Sequence, residues 1–240
     1  MLALDTRLAG ASNIRKVLIG ENSLVESLWP PAIKSLLGPG SLSNNGGAIH
    51  ARLRKMMQPA FTPHAVHRYL PRITATTTAA LSSWAASGGP ISAYEVVNSL
   101  ALKIAIRVIA GSRGHWTSEE GFGEVEHLVH DWLGGLFAWP VDLPWTRFGK
   151  ACRARRQLNE LVGEALAASR SDTKEDTVLE VMLAARDEAA APPTQQELLD
   201  NVMTLLFAGH DTSATSMVCI LEEMRKHPHR IPELQQEQAR

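Results

Sequence analysis

Apolar residues recur at helical spacing along most of the chain, and turn residues interrupt them at intervals. Ile14, Val17 and Leu18 share one face of a segment that Ser12 can cap and Gly20 can stop, which predicts a helix over residues 13–20. A second short helix is expected over 24–29, ended by Pro30 and Pro31. Gly, Pro, Ser and Asn then crowd residues 38–47, a turn-rich stretch. Helices are predicted next over 50–58, stopped near Pro59, and over 64–84, closed by Gly88, Gly89 and Pro90. Residues 91–94 read as a brief strand. Val96, Leu100, Ile104 and Val108 fall on one face of a helix over 95–110, which Gly111 terminates. Another helix is expected over 118–137, with Ser118 as N-cap and Glu119 and Glu120 near the positive end of its dipole. A proline-broken loop spans 139–144. The helix over 147–170 is basic at its start, the wrong sign for the dipole, so that face is read as solvated or paired. A further helix covers 176–186.

Residues 189–193 form a linker, and Thr194 opens the longest helix. Thr194 and Glu197 make a capping box, and the apolar pattern runs to about His227, where Pro228 enforces a stop. Thirty-odd residues at a 1.5 Å rise give about 50 Å. Such a helix has to cross a whole domain. The predicted fold is mainly α with little β, without internal repeats or heptad runs.

Composition narrows the function classes. The chain has 240 residues, 45% hydrophobic and 20% charged, which excludes disordered and collagen-like chains. Lys+Arg 24 minus Asp+Glu 25 gives −1, so no basic excess exists to neutralise nucleic-acid phosphates. Cys152 and Cys219 show no CxxC or zinc spacing, which rules out a disulfide scaffold and fits a reducing compartment. Asp5 and Arg7 interrupt the apolar run that a secretory signal needs, and the longest apolar run, 202–209, contains Thr204 and is too short to span a bilayer. With no signal or spanning segment in this chain, the location stays open between the cytoplasm and association with the cytoplasmic side of a membrane. His64 and His67, His127 and His130, and His227 and His229 lack a carboxylate and third ligand at zinc spacing, and no His-Glu-x-x-His occurs. No Gly-x-Ser-x-Gly elbow is present either. Gly38-Pro39-Gly40 outlines a phosphate loop, but no Gly-Lys-Ser/Thr follows. Trp132, Trp139 and Trp145 read as core or channel-mouth packing rather than nucleotide stacking platforms.

The long helix carries the chemistry. Its centre contains Phe207, Ala208, Gly209, His210, Asp211, Thr212, Ser213 and Thr215 between apolar turns. A buried helix midpoint disfavours Gly by about 1 kcal/mol against Ala, and hydroxyls there compete for backbone hydrogen bonds. Ala208, Asp211, Thr212 and Thr215 share one face. Gly209 lets something bulky and flat approach the backbone. Thr212 can bond the carbonyl of Ala208, and Asp211 can supply protons. A kinked core helix with a polar patch fits the same residues. A second feature is His50 and Arg54, i and i+4 on one helix, with Lys55 beside them and Phe61 shortly after. Two such groups suit a pair of carboxylates, or form a solvated basic face.

Together these features resemble the cytochrome P450 family of haem-thiolate monooxygenases. Ala208-Gly209-His210-Asp211-Thr212 matches the family's oxygen-activation motif, Ala/Gly-Gly-x-Asp/Glu-Thr, in its expected long helix. The stretch from Ser41 to Asn44 through His50, Arg54, Lys55, Ala60 and Phe61 resembles the haem-propionate helix and its approach, and the interval of about 160 residues between the two is that of the family. The order of helices fits the family's helices B to I, with 222–240 as the start of J. The residues around Trp29-Pro30 and the 206–212 segment look most like the branch containing the retinoic-acid hydroxylases.

The resemblance implies haem as cofactor, O2 and a small hydrophobic substrate such as a retinoid, carotenoid or sterol-like molecule, and a reductase or ferredoxin as electron donor. Membrane association of a full-length protein is compatible with it. It implies proton delivery by Thr212 and Asp211, room for O2 at Ala208 and Gly209, a propionate clamp of His50 and Arg54, and substrate contact at Trp29 and Phe207. The chain departs from the family in lacking the Phe-x-x-Gly-x-Arg-x-Cys-x-Gly loop. Glu222 to Arg225 is too early to be the family's Glu-x-x-Arg pair, and Glu237 to Arg240 has no cysteine loop after it. Neither Cys152 nor Cys219 is at the position of the axial ligand. Residues 1–240 are therefore expected to form a single partial monooxygenase domain, without the N-terminal sheet and the C-terminal haem-cysteine region, and inactive alone. The alternative is a non-catalytic helical interaction domain or a truncated relic.

Overall fold

A computed structural model describes residues 8–20, 23–26, 28–112, 114–169 and 175–239, and the side chain of Glu119 is outside it. The expectations at Met1–Arg7, Glu119, Arg170 and Arg240 therefore lie outside the described residues. Among the described residues ten α-helices follow one another: α1 Ala11–Ile19, α2 Pro31–Leu37, α3 Gly47–Met57, α4 Pro63–Ala86, α5 Ala93–Ala110, α6 Glu119–Gly135, α7 Arg147–Ser169, α8 Val178–Ala184, α9 Gln195–Lys226 and α10 Ile231–Gln238. No strand occurs among the described residues.

The core forms where the first half of α9 crosses the others. Leu198, Val202, Met203 and Leu206 of α9 pack with Ile33, Leu36 and Leu37 of α2, Leu102 and Ile106 of α5, Val125, Val129 and Trp132 of α6, and Leu158 and Val162 of α7. Burying each large side chain contributes about 1.5–3 kcal/mol. The capping box expected at Thr194 is present: Glu197 N donates to Thr194 Oγ1 at 3.2 Å, and Thr194 N donates to Glu197 Oε2 at 2.8 Å. Ser118 caps α6 as expected, accepting from Gly121 N at 3.0 Å. Helices α6 and α7 approach closely because Gly135 has no Cβ to strike Ala151. Trp132 Nε1 ties α6 to α2 by donating to Leu36 O at 3.2 Å.

Several expectations fail. Ser12 does not cap the first helix: it lies inside α1, whose N-cap position is Gly10 with no side-chain cap bond. Residues 24–29 are not helical where described; the helix starts at Pro31 instead, with proline in its first turn. Proline lacks an N–H, but the first helical position needs none, so Pro30 and Pro31 open α2 rather than close a helix before it. Residues 91–94 form no strand, and α5 already begins at Ala93. An isolated strand has no ladder to join, so its backbone groups are better satisfied in the helix. Finally, the face Val96, Leu100, Ile104, Val108 is mostly half-buried. The deepest residues of α5 are Leu102 and Ile106, followed by Val97, Ala110 and Ala101, since the helix lies between α4 and α9.

Candidate functional site

The two sides of α9 diverge at its centre. His210 and Ala214 face α5 and are buried. His210 Nε2 lies 3.0 Å from Asn98 Oδ1 and 3.2 Å from Asn98 O. Burial holds its imidazole below the ordinary histidine pKa, and its Nδ1 is buried with no partner among the described residues. The other sides carry Ala208, Gly209, Asp211, Thr212, Ser213 and Thr215, all exposed. A Cβ added at Gly209 would meet nothing within 4 Å, so the backbone there is open to a flat partner. Thr212 Oγ1 donates to Ala208 O at 2.5 Å, the bond expected from their spacing. The helix nevertheless stays α-helical from Gln195 to Lys226.

Two of the sequence-predicted substrate residues meet. The Trp29 and Phe207 rings stand edge to face, with centroids 6.4 Å apart and an interplanar angle of 78°, an arrangement aromatic pairs favour. This places an aromatic pair one residue before Ala208.

His50 and Arg54 stand one turn apart on α3, half-buried and exposed respectively. Neither side chain has a hydrogen bond or ion pair among the described residues. Their neighbours are engaged: Lys55 Nζ pairs with Glu188 at 2.9 Å, and Arg52 bridges Asp187 at 2.8 Å and Glu197 at 2.6 Å. The latter bridge pins α3 beside the N-terminus of α9, about 18 Å along the axis from Gly209 at 1.5 Å per residue. Among the described residues no side-chain hydrogen bond or ion pair joins the His50–Arg54 pair to the centre of α9; the bridge from α3 reaches the first turn of the long helix at Glu197.

Sequence reasoning missed a polar node that docks the loop before α3 onto α9. Asp200, Asn201 and Thr204 are buried in an otherwise apolar stretch of α9. Gly40 N donates to Asp200 Oδ2 at 2.8 Å, Leu42 N to Asn201 Oδ1 at 2.8 Å, and Asn201 Nδ2 to Gly40 O at 2.8 Å. Ser41 and Thr204 hydroxyls are 2.7 Å apart. Arg155 of α7 forms an ion pair with Asp200 and donates to Ser35 O at 2.7 Å. Gly38 has φ +90°, and a Cβ there would overlap both Asp200 and Arg155. The Gly38-Pro39-Gly40 turn thus docks on α9, with Asp200 filling the space a phosphate would need. A legible signal existed: Asp200-Asn201 interrupts Leu198-Leu199 and Val202-Met203 on a helix with no solvent-facing reason for it. The basic face of α7 divides accordingly, with Arg155 paired and half-buried while Arg153 and Arg156 are exposed.

Cys152 is half-buried, and burial raises its thiol pKa, with Asp142 adding to the effect. Cys219 is exposed. No cluster of three or more potential metal ligands occurs among the described residues. Glu222 and Arg225 form a surface ion pair at 2.7 Å that pushes Glu222 down to about 2. Among the described residues no helix is long and apolar enough to cross a membrane.

Comparison with known proteins places this geometry. The family model described as Cytochrome P450 matches residues 7–240. Cytochrome P450 26B1 of Danio rerio is 33% identical over 234 residues, 96% of this chain and 45% of its own length. Cytochrome P450 26C1 of Homo sapiens is 30% identical over 234 residues, 96% of this chain and 44% of its own. The solved structure of retinoic acid-bound cyanobacterial CYP120A1 is similar with a TM-score of 0.80 and 28% identity, covering 89% of this chain and 48% of that one. The chain spans about half the length of these relatives.

Proposed function

Because the chain belongs to the cytochrome P450 family, we propose that it supplies the distal face, the propionate clamp and part of the substrate pocket of a haem-dependent monooxygenase. The observation that carries this reading is the two-sided centre of α9, where His210 and Ala214 are buried against α5 and residues 208, 209, 211 and 212 are left open. One core continuous through α2, α5, α6, α7, α8 and α9 supports reading the segment as part of a single domain.

The residues present fit haem in shape and charge. Gly209 leaves open space for a planar ring. His50 and Arg54, unpaired among the described residues, suit two carboxylates one helical turn apart. Bound haem would supply O2 activation with electrons from a reductase or ferredoxin, inserting one oxygen atom into the substrate. The axial thiolate would come from neither cysteine here. Cys219 lies seven residues from Thr212, on the same side of α9, the side proposed to receive O2 and substrate. Cys152 is biased toward the neutral thiol.

Within this frame the Thr212 hydroxyl is a proton donor in waiting. Its hydrogen rests on Ala208 O, and rotation about the side chain turns it to the open face above Gly209. Asp211, exposed beside it, resupplies the proton from solvent. Trp29 and Phe207 would exclude water and hold the apolar body of the substrate, and the retinoic acid bound by the cyanobacterial relative makes a retinoid the first substrate to test.

The experiment is a retinoic acid titration of a chain that joins these residues to the family's cysteine loop. Saturable perturbation of the haem spectrum and formation of a hydroxylated product are expected, with Phe207→Ala weakening binding on the order of tenfold, about 1.4 kcal/mol. A chain that takes up no haem and shows no Soret band would instead favour the helical interaction domain.

A further inference from the structure

The cation pair His50 and Arg54 can clamp a dianion only if α3 is held at one rotation about its axis. Arg52 is placed to set that rotation. At about 100° per residue, His50 and Arg54 each stand about 200° from Arg52, so the pair is centred on the opposite side of the helix. On its own side, Arg52 spans two carboxylates: Nε donates to Asp187 Oδ2 at 2.8 Å and Nη1 to Glu197 Oε1 at 2.6 Å.

Neither carboxylate is free to follow a turning helix. The other oxygen of Glu197 accepts from Thr194 N at 2.8 Å, which closes the capping box of α9. The other oxygen of Asp187 accepts from Ala189 N at 3.0 Å and Ala191 N at 2.9 Å, which fixes the turn between α8 and α9. Both acids therefore have backbone bonds on one oxygen and the guanidinium on the other. The three side chains are mostly shielded, 30% exposed for Arg52, 15% for Asp187 and 16% for Glu197, so solvent screens these bonds less than it does the exposed Lys55–Glu188 pair.

We propose that Arg52 is the positioning residue of the anion clamp, locking α3 to the α8–α9 turn and to the cap of α9 so that His50 and Arg54 face a dicarboxylate ligand together. The proposal rests on the clamp reading above and adds the residue through which it acts.

The test uses the full chain with two probes, hemin and its dimethyl ester, in which both propionates are neutral. The readout is the ratio of the two affinities, which isolates the carboxylate contacts from the rest of the binding. The natural chain is expected to favour hemin on the order of tenfold. Arg52→Met should bring the ratio near one, as should Arg54→Ala, and the double variant should lose little more. Arg52→Lys, which keeps the charge but cannot span both acids, should fall between. A purely structural Arg52 would weaken both probes equally and leave the ratio intact. That result, with Arg54→Ala lowering the ratio, overturns the proposal and leaves the clamp standing. A natural chain that does not distinguish hemin from its ester overturns the clamp and the proposal with it. Should Arg52→Met fail to fold by its far-ultraviolet signal, Asp187→Asn removes one anchor from the other side. It should lower the ratio partway, and an unchanged ratio there also overturns the proposal.

Discussion

Thr212 and His210 are two residues apart on α9 and meet opposite environments, which makes their substitutions informative in different ways. Thr212→Ala keeps the helix, since Ala is the better helix former, and removes the hydroxyl bonded to Ala208 O. In a chain joined to the family's cysteine loop, product formed per electron consumed should fall far more than substrate affinity. The loss of one transition-state hydrogen bond is on the order of 10²-fold in rate. Unchanged coupling would remove Thr212 from the proton relay. His210 is a matter of stability. Its folded-state pKa is depressed by burial, so the unfolded chain binds the extra proton first as pH falls. Stability should therefore be intact above the unfolded value of about 6.5 and decline below it until the lower folded value is passed. His210→Gln retains a donor for Asn98 and does not titrate. Urea midpoints at pH 7.5 and 5.5 should differ less in this variant than in the natural chain.

At the scale of elements, the buried ion pair between α7 and α9 dominates. Asp200 accepts from Gly40 N and from Gln196 Nε2 at 2.8 Å each besides holding Arg155, so it ties loop, α7 and α9 at one point. Asp200→Ala strands the half-buried guanidinium and should cost about 3–5 kcal/mol. Thr194→Ala, which removes only a cap, should cost about 1 kcal/mol. Chemical denaturation of the two variants checks the ranking, and equal losses would mean that Arg155 finds another partner. Arg155 stood out in the sequence only as one of several cations on α7. Which of them turns inward depends on α9 lying beside it, a contact between residues 45 positions apart. A longer separation hid the role of the Gly38–Pro39–Gly40 turn, whose partner is 160 residues away.

Across the whole molecule, α9 is embedded at one end and supported on one side at the other. Between Leu198 and Leu206 it is buried by α2, α5, α6 and α7, whereas beyond His210 only Ala214 is buried, against Val97 and Ala101 of α5. Amide exchange should accordingly be slowest over 198–206 and faster by orders of magnitude beyond residue 216, because local opening there exposes little apolar surface. Uniform protection along α9 would show that the second half is covered in solution. The placement of both cysteines carries a spectroscopic expectation as well: hemin bound to this chain, reduced and exposed to CO, should lack the long-wavelength Soret band of a thiolate ligand. Its appearance would assign the ligand to Cys152 or Cys219.

Features under local control were legible from neighbouring residues alone. The capping box at Thr194, the cap at Ser118, the extent of α9 and the Thr212 bond to Ala208 all involve partners three or four residues apart, and their spacing is enough to specify them. The family was legible for the same reason, since its motif is a contiguous run on one helix. Tertiary structure alone decided which side of each helix is buried and which polar residue meets which. Helix α2 was hidden behind two prolines whose sequence reading was a stop, whereas Ile33, Leu36 and Leu37 pack on α6, α7 and α9. The Arg52 and Asp200 nodes likewise join residues more than a hundred positions apart in part. Burial turns such pairings from weak surface contacts into strong constraints, and burial is a property of the packed helices together rather than of any one segment.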